Sequence, residues 1–332
     1  VLDGWRGISI LLVMATHLIW LGPKSWQLNL TAGPMGMALF FTLSGFLITN
    51  FLLHNSSVTD FLIRRIARII PLAWLFLIIV LPITDASPES WRAHMLFYAN
   101  WPPMQTGSIT SHFWSLCIEM QFYFGVALLF LIFKKRGLLL LPALCIAFTL
   151  FRVINGVHIG VATYFRIDEI LAGATLALVY NDKLGRSFKN VITKFNPWLL
   201  LLLFFVSSHP ASEFLNYFRP YLASLLVGWT LLNENSRLSI WLHNRTLAYI
   251  GAISYALYVI HPVFIQTWLG SGDGWSKYAK RPLYFAVTFL LAHLSTFYYE
   301  NRCIALGKRI SEKIRGQSAS PGDKVGRGPK ER

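Results

Sequence analysis

The chain has 332 residues, of which 55% are hydrophobic and only 14% charged, with 25 Phe and 12 Trp among them. A soluble domain carries about 25% charged residues and could not keep this much apolar surface from water, so the composition reads as a membrane protein. The formal net charge of +15 is spread between apolar runs instead of forming one basic face, which argues against nucleic acid as a partner.

Apolar runs place ten transmembrane spans at about 5–22, 33–53, 69–83, 111–133, 137–154, 161–181, 196–208, 219–233, 247–269 and 282–304. The third, seventh and eighth are short, so they extend into their flanks or meet a thinned bilayer. The expected fold is an all-α polytopic membrane protein with both termini cytoplasmic. That orientation puts Arg64, Arg65, Arg68, Lys134, Lys135, Arg136, Lys183, Arg186, Lys189, Lys194, Arg237, Arg245 and the basic tail from Arg302 inside. Only Lys24, Arg92, Arg219, Lys277, Lys280 and Arg281 fall outside, and the loop holding the last three runs against the rule. Residues 84–110 form a long external loop whose apolar stretch 95–101 is too short to cross and reads as re-entrant or interfacial. Cys117, Cys145 and Cys303 lie within or at the end of apolar segments and imply no disulfide framework. Residues 1–304 are expected to form the membrane-embedded domain. Residues 305–332 are expected to form a basic cytoplasmic tail, amphipathic over 304–314 and then disordered. No internal repeat is evident, and nothing in the chain reads as a soluble catalytic domain.

Several ionisable side chains fall inside these spans, where they are costly and by default point to function. Arg6 and His17 in the first span are 11 residues apart, so they share a helical face, roughly 16 Å apart along the axis. In the second span Gly36, Ser44 and Gly45 read as small residues for close helix packing. Arg65 and Arg68, at i and i+3, present two planar guanidinium groups suited to phosphate oxygens; a plain positive-inside anchor is the alternative. His112, Ser115, Glu119 and Tyr123 form a polar stripe along the fourth span, with Glu119 free for a site or for an ion pair with Arg166. Counting roughly 1.5 Å per residue, His17, Glu119 and Glu169 reach the same level just outside the midplane, with His261 slightly further out. Arg166 and Glu169, at i and i+3, are read as a structural pair. His261 precedes Pro262, so it could instead satisfy backbone groups that the proline frees.

The motifs in order are Asp3-Gly4-Trp5-Arg6-Gly7 through His17, Phe40-Phe41-Thr42-Leu43-Ser44-Gly45-Phe46-Leu47-Ile48, and Arg64-Arg65-Ile66-Ala67-Arg68 through Pro71. There follow Trp114-Ser115-Leu116 with Glu119 and Phe122-Tyr123, Tyr164 through Gly173, Ser254-Tyr255 through His261, and Tyr298-Tyr299-Glu300. This series resembles the acyltransferase 3 family of integral-membrane enzymes. The chain departs from the family pattern at Trp5, where Leu is usual, and at Asn301 and Arg302, where Pro often follows the closing Glu.

The resemblance implies transfer of an acyl group, acetyl by expectation, from cytoplasmic acyl-coenzyme A to a hydroxyl of a cell-envelope carbohydrate. The enzyme would lie in the cell (inner or plasma) membrane. His17 is the expected general base, since imidazole titrates near the working pH, with Glu119 orienting it or stabilising the imidazolium. Arg6, Arg65 and Arg68 would bind the donor, and Asp3, Tyr123, Arg166, Glu169 and His261 would support the site. No metal site and no permanently bound cofactor are expected; acetyl-coenzyme A or another acyl-coenzyme A serves as donor substrate. The partners implied are that donor, a glycan or glycolipid acceptor, the lipid bilayer and, where transfer is not direct, a separate extracytoplasmic transferase. A transporter or flippase is the alternative, since intramembrane Arg, Glu and His also mark transport pathways.

Overall fold

The structure, a computed structural model, describes residues 1–318, so the end of the basic tail lies outside the described residues. Their regular secondary structure is all helical, with no strand among the described residues. The helices are α1 (Leu2–Leu18), α2 (Leu28–His54), α3 (Val58–Ile83), α4 (Pro88–Met95), α5 (Phe113–Phe133), α6 (Leu141–Ile154), α7 (Asp168–Tyr180) and α8 (Arg186–Lys194). They continue with α9 (Pro197–Val206), α10 (Arg219–Leu232), α11 (Arg237–Leu242), α12 (Arg245–Ala252), α13 (Ser254–Ile260), α14 (Gly274–Ala279), α15 (Arg281–Leu294) and α16 (Asn301–Ser318).

Among the described residues three stretches, Lys24–His54, Val58–Ile83 and Phe113–Ile154, are long and apolar enough to cross a membrane. Two bent pairs raise the number to five if each is one span: Arg186–Lys194 with Pro197–Val206 at 86°, and Arg245–Ala252 with Ser254–Gln266 at 54°. The remaining expected spans are individually shorter helices. Local chemistry sets the ends of α9, the second half of the first bent pair. The Asn196 side chain accepts from the backbone N–H groups of Trp198 (2.9 Å) and Leu199 (3.3 Å), so α9 begins there with Pro197 in its first turn. It ends where Ser207 and Ser208 turn their hydroxyls back onto the Phe204 carbonyl. Ile78, Ile79 and Ile83 on α3, Leu128, Leu131 and Ile132 on α5, and Ile146, Leu150 and Ile154 on α6 are all exposed. An apolar belt of this extent suits hydrocarbon and not water.

The centre of the fold is α2 against α1 and α7, with α10 behind. The α2–α7 contact is backbone to backbone. A Cβ on Gly45 would stand 1.9 Å from the Ile170 carbonyl oxygen, and one on Gly173 2.0 Å from that of Thr42. Any larger residue at either position must force the helices apart.

Helix ends sort into two sets. At one, the N-terminus of α1 meets α11 and α12, Nδ2 of Asn181 after α7 donates to Oδ1 of Asn50 near the end of α2 (2.8 Å), and α16 packs along α3. There Asp60 accepts from Arg64 Nε (2.5 Å), Asn55 Nδ2 (3.1 Å) and the Ser311 hydroxyl. At the other, Leu18–Trp20 after α1 face the beginning of α15, and Asn100 of the 84–110 loop donates to the Val161 carbonyl (3.0 Å) and Thr163 Oγ1 (2.9 Å) before α7. A π-helical segment, Ser295–Glu300, joins α15 to α16, and Ser295 (2.9 Å) and Thr296 (3.0 Å) both donate to the buried Glu300.

Candidate active site

A cavity of about 90 Å³ opens where α1, α2, α3, α5 and α13 converge. Arg6 comes from α1, Ser44 from α2, Arg65 and Arg68 from α3, Ser115, Glu119 and Tyr123 from α5, and Tyr255 and Tyr258 from α13. The helical periods anticipated this: Ser115, Glu119 and Tyr123 recur every fourth residue, and Arg65 and Arg68 lie one turn apart. Three guanidinium groups therefore face one carboxylate. Glu119 is occupied by hydroxyls, accepting from Tyr123 (2.5 Å) and from Ser44. Arg6 donates to Asp3 at the rim (3.2 Å), while among the described residues Arg65 and Arg68 form no ion pair. The Arg65 guanidinium lies 6.0 Å from the Tyr123 ring centre. Arg64, their neighbour in sequence, points instead at Asp60, so the arginine run divides into one structural and two cavity-lining members.

His17 lies beyond this cavity. Its ring stacks on His261 with centres 5.9 Å apart; His261 stands 5.9 Å edge-on to His112, and His112 lies 5.4 Å from the Tyr258 ring. The Tyr258 hydroxyl donates to the His112 carbonyl (2.7 Å) and sits 2.5 Å from the Ser115 hydroxyl. Ser115 and Tyr258 thus form the wall between the arginine cavity and a column of three imidazoles. His17 itself is exposed and makes no hydrogen bond among the described residues, and its ring neighbour is His261, not Glu119.

The polar contacts of His261 assign its tautomer. Nδ1 faces two carbonyl oxygens, Leu257 at 3.1 Å and Tyr258 at 2.8 Å, and must donate to them, which leaves the lone pair on Nε2. The Tyr258 carbonyl is the one that Pro262, four residues on, has no N–H to satisfy. His261 therefore does mend the proline break, while its buried Nε2 has no partner of its own.

Arg166 and Glu169 belong to a third group. Glu169 accepts from Arg166 Nε (3.0 Å) on one oxygen and Arg219 Nε (2.8 Å) on the other, all three buried. Beside it Arg152 pairs with Asp168, Thr149 donates to Asp168 (3.2 Å), and Arg219 donates to Asn216 (3.1 Å). The cluster ties α6, α7 and α10 together, and Arg166 also lies 5.3 Å from the Trp114 ring centre. Arg219, expected as an external loop charge, is wholly buried, because a carboxylate on α7 needs a second cation there. The Asp168-Glu169 doublet was the available signal, since two adjacent buried carboxylates require more than the single Arg166. Ser44 and Tyr258 also escaped selection as site residues, for neither is ionisable near neutral pH and each reads as packing on its own helix.

The chain is 26% identical over 348 aligned positions to the peptidoglycan O-acetyltransferase OatA of Listeria monocytogenes, covering 90% of this chain and 54% of that protein. It is 28% identical to a Bacillus subtilis protein provisionally named a peptidoglycan O-acetyltransferase, covering 90% and 54%. A Staphylococcus aureus protein provisionally named an O-acetyltransferase is 29% identical over 305 positions, covering 78% and 49%. The chain thus spans about half the length of the curated relatives it matches. No solved structure matches it. A family model described as an acyltransferase domain matches residues 1–299, and with the motifs in order along nearly the whole chain, the protein belongs to the acyltransferase 3 family.

Proposed function

We propose that this protein is a membrane O-acyltransferase that moves an acyl group, acetyl by preference, from cytoplasmic acyl-coenzyme A to a hydroxyl of a cell-envelope carbohydrate. The observation that carries the reading is the cavity in which Arg6, Arg65 and Arg68 outnumber Glu119, a recess of net positive charge whose one lining carboxylate already accepts from Ser44 and Tyr123. On the proposed topology of about ten spans with cytoplasmic termini, that recess lies toward the cytoplasm, where the anionic donor is found. The guanidinium groups hold the donor's phosphates by charge-assisted hydrogen bonds, and the acyl arm extends along α1 toward His17, roughly 16 Å from Arg6.

At His17 the neutral imidazole takes the proton of the acceptor hydroxyl as its oxygen attacks the thioester carbonyl. The new ester C–O bond forms, the C–S bond breaks, and coenzyme A leaves as the thiolate that the proton finally neutralises. His261, whose ring stacks on His17, lies against the imidazolium as it forms. Glu119 acts through the donor cavity, holding Ser44 and Tyr123 in place beside the arginines.

The names of the relatives, which include peptidoglycan O-acetyltransferases, support an envelope glycan as acceptor. The test is donor turnover by the purified full chain in nanodiscs, followed as release of coenzyme A with and without envelope glycan. Glycan-dependent release is expected. Substrate movement across a sealed vesicle with no thioester cleavage would replace this reading with a transporter.

A further inference from the structure

The end of α1 and the start of α15 enclose a second cavity, about 670 Å³, walled by Trp20, Trp275, Tyr278, Phe285 and Arg281. Trp275 is 91% exposed and Trp20 65%, whereas Arg281 is only 6% exposed. Nε and Nη1 of Arg281 have no hydrogen-bond partner, and among the described residues it forms no ion pair. Its neighbours are the rings of Tyr278 (5.9 Å) and Tyr284 (5.4 Å). A buried guanidinium without an anion is expensive, and aromatic faces offset only part of the cost.

Two other charges of this segment have polar partners. Asp273, its one carboxylate, caps α14 by accepting from the Ser276 N–H (2.9 Å). The Lys280 ammonium donates to the carbonyls of Trp268 (3.1 Å) and Ser271 (3.3 Å). Lys277 and Lys280 are only partly buried, so Arg281 is the one buried cation of this anomalous basic loop, and among the described residues it has no anion.

The cavity also adjoins the column of histidines. The Tyr284 hydroxyl donates to the His261 carbonyl, His261 stacks on His17, and the residues after His17, Leu18 to Trp20, form the cavity's other wall. Flat aromatic faces suit the apolar face of a pyranose ring, and a guanidinium suits a carboxylate. We propose that this cavity binds the acceptor, and that the acceptor is an acidic carbohydrate: a sugar ring laid on Trp275 and Trp20 with its carboxylate on Arg281, presenting a hydroxyl to His17. The inference rests on the acyl-transfer reading for its link to His17, but binding can be measured without any donor.

The test compares cellobiouronic acid with cellobiose, its neutral counterpart, by ligand-observed NMR titration of the full chain in phosphatidylcholine nanodiscs with no acyl-coenzyme A present. The acidic disaccharide should bind at least roughly tenfold more tightly, the scale of a charge-assisted hydrogen bond. Arg281→Gln should abolish that preference, and Trp275→Ala should weaken both sugars while leaving their ratio unchanged. If Arg281→Gln does not fold, Arg281→Lys decides, with a reduced but persisting preference expected, because a point charge replaces a planar fork. Equal binding of the two sugars, or a preference that survives Arg281→Gln, overturns the proposal. Loss of acidic-sugar binding when phosphatidylglycerol replaces a third of the lipid also overturns it, assigning Arg281 to a lipid phosphate. Failure of donor turnover in the separate release assay would sink the acyl-transfer reading and leave this binding result standing.

Discussion

Arg64, Arg65 and Arg68 are chemically identical and lie within five residues, yet their surroundings give them different work. Arg64 is bound to Asp60, while Arg65 and Arg68 face the cavity without a carboxylate partner. Arg65→Ala and Arg68→Ala should each weaken donor binding about ten- to hundredfold, the value of a charge-assisted contact, with lysine restoring only part. Arg64→Ala should instead loosen α16 from α3 and leave donor affinity intact. Equilibrium binding of a non-hydrolysable acyl-coenzyme A analogue measures both, and unchanged affinity in the Arg65→Ala/Arg68→Ala double variant would remove the arginines from the donor site. At His17 the quantity to follow is turnover. Loss of a general base typically costs about 10²- to 10⁴-fold in rate, so His17→Ala should nearly abolish transfer while binding donor normally. Near wild-type turnover by folded His17→Ala would end the general-base role. Glu119→Gln should show the opposite division, a change in donor affinity exceeding the change in the chemical step.

Among the helices, the strongest ties are polar and deep. Glu169 links α7 to α10 through Arg219, and losing one partner of a buried ion pair typically costs about 3–5 kcal/mol. Glu169→Ala should therefore lower thermal stability in detergent by much more than Glu119→Gln does, with any surviving fold still binding donor. Equal melting temperatures for Glu169→Ala and the parent would show that the cluster is not structural. The same cluster marks the boundary of what the sequence discloses. Arg65 with Arg68 and Ser115 with Glu119 were legible because helical periodicity fixes which side chains share a face. Arg166 with Glu169 was legible from their spacing of three, although Arg166 lies in the turn before α7 and not on its face. Arg219 was not, since its partner lies 50 residues away and only tertiary packing brings them together. His17 and His261 were placed near one level by counting residues, but their stacking needed the rotation of α1 against α13, which no single helix specifies. Gly45 was read correctly as a packing residue, though not that it meets the backbone of Ile170 on α7.

For the molecule as a whole, the two sets of helix ends bear directly on topology. With Arg219 and Arg281 buried instead of free in loops, fewer basic residues oppose cytoplasmic termini than the sequence suggested. Single-cysteine labelling in intact cells should reach position 96, which is exposed in the 84–110 loop, and reach position 310 on α16 only after permeabilisation. The reverse pattern would invert the proposed orientation and move the arginine cavity away from the donor.

The wall formed by Ser115 and Tyr258 has a further consequence on that topology. With a cationic recess on one side and an exposed His17 on the other, the wall stands across the path proposed for the acyl arm, so the Ser115 and Tyr258 hydroxyls must part for the donor to reach His17 and close again behind it.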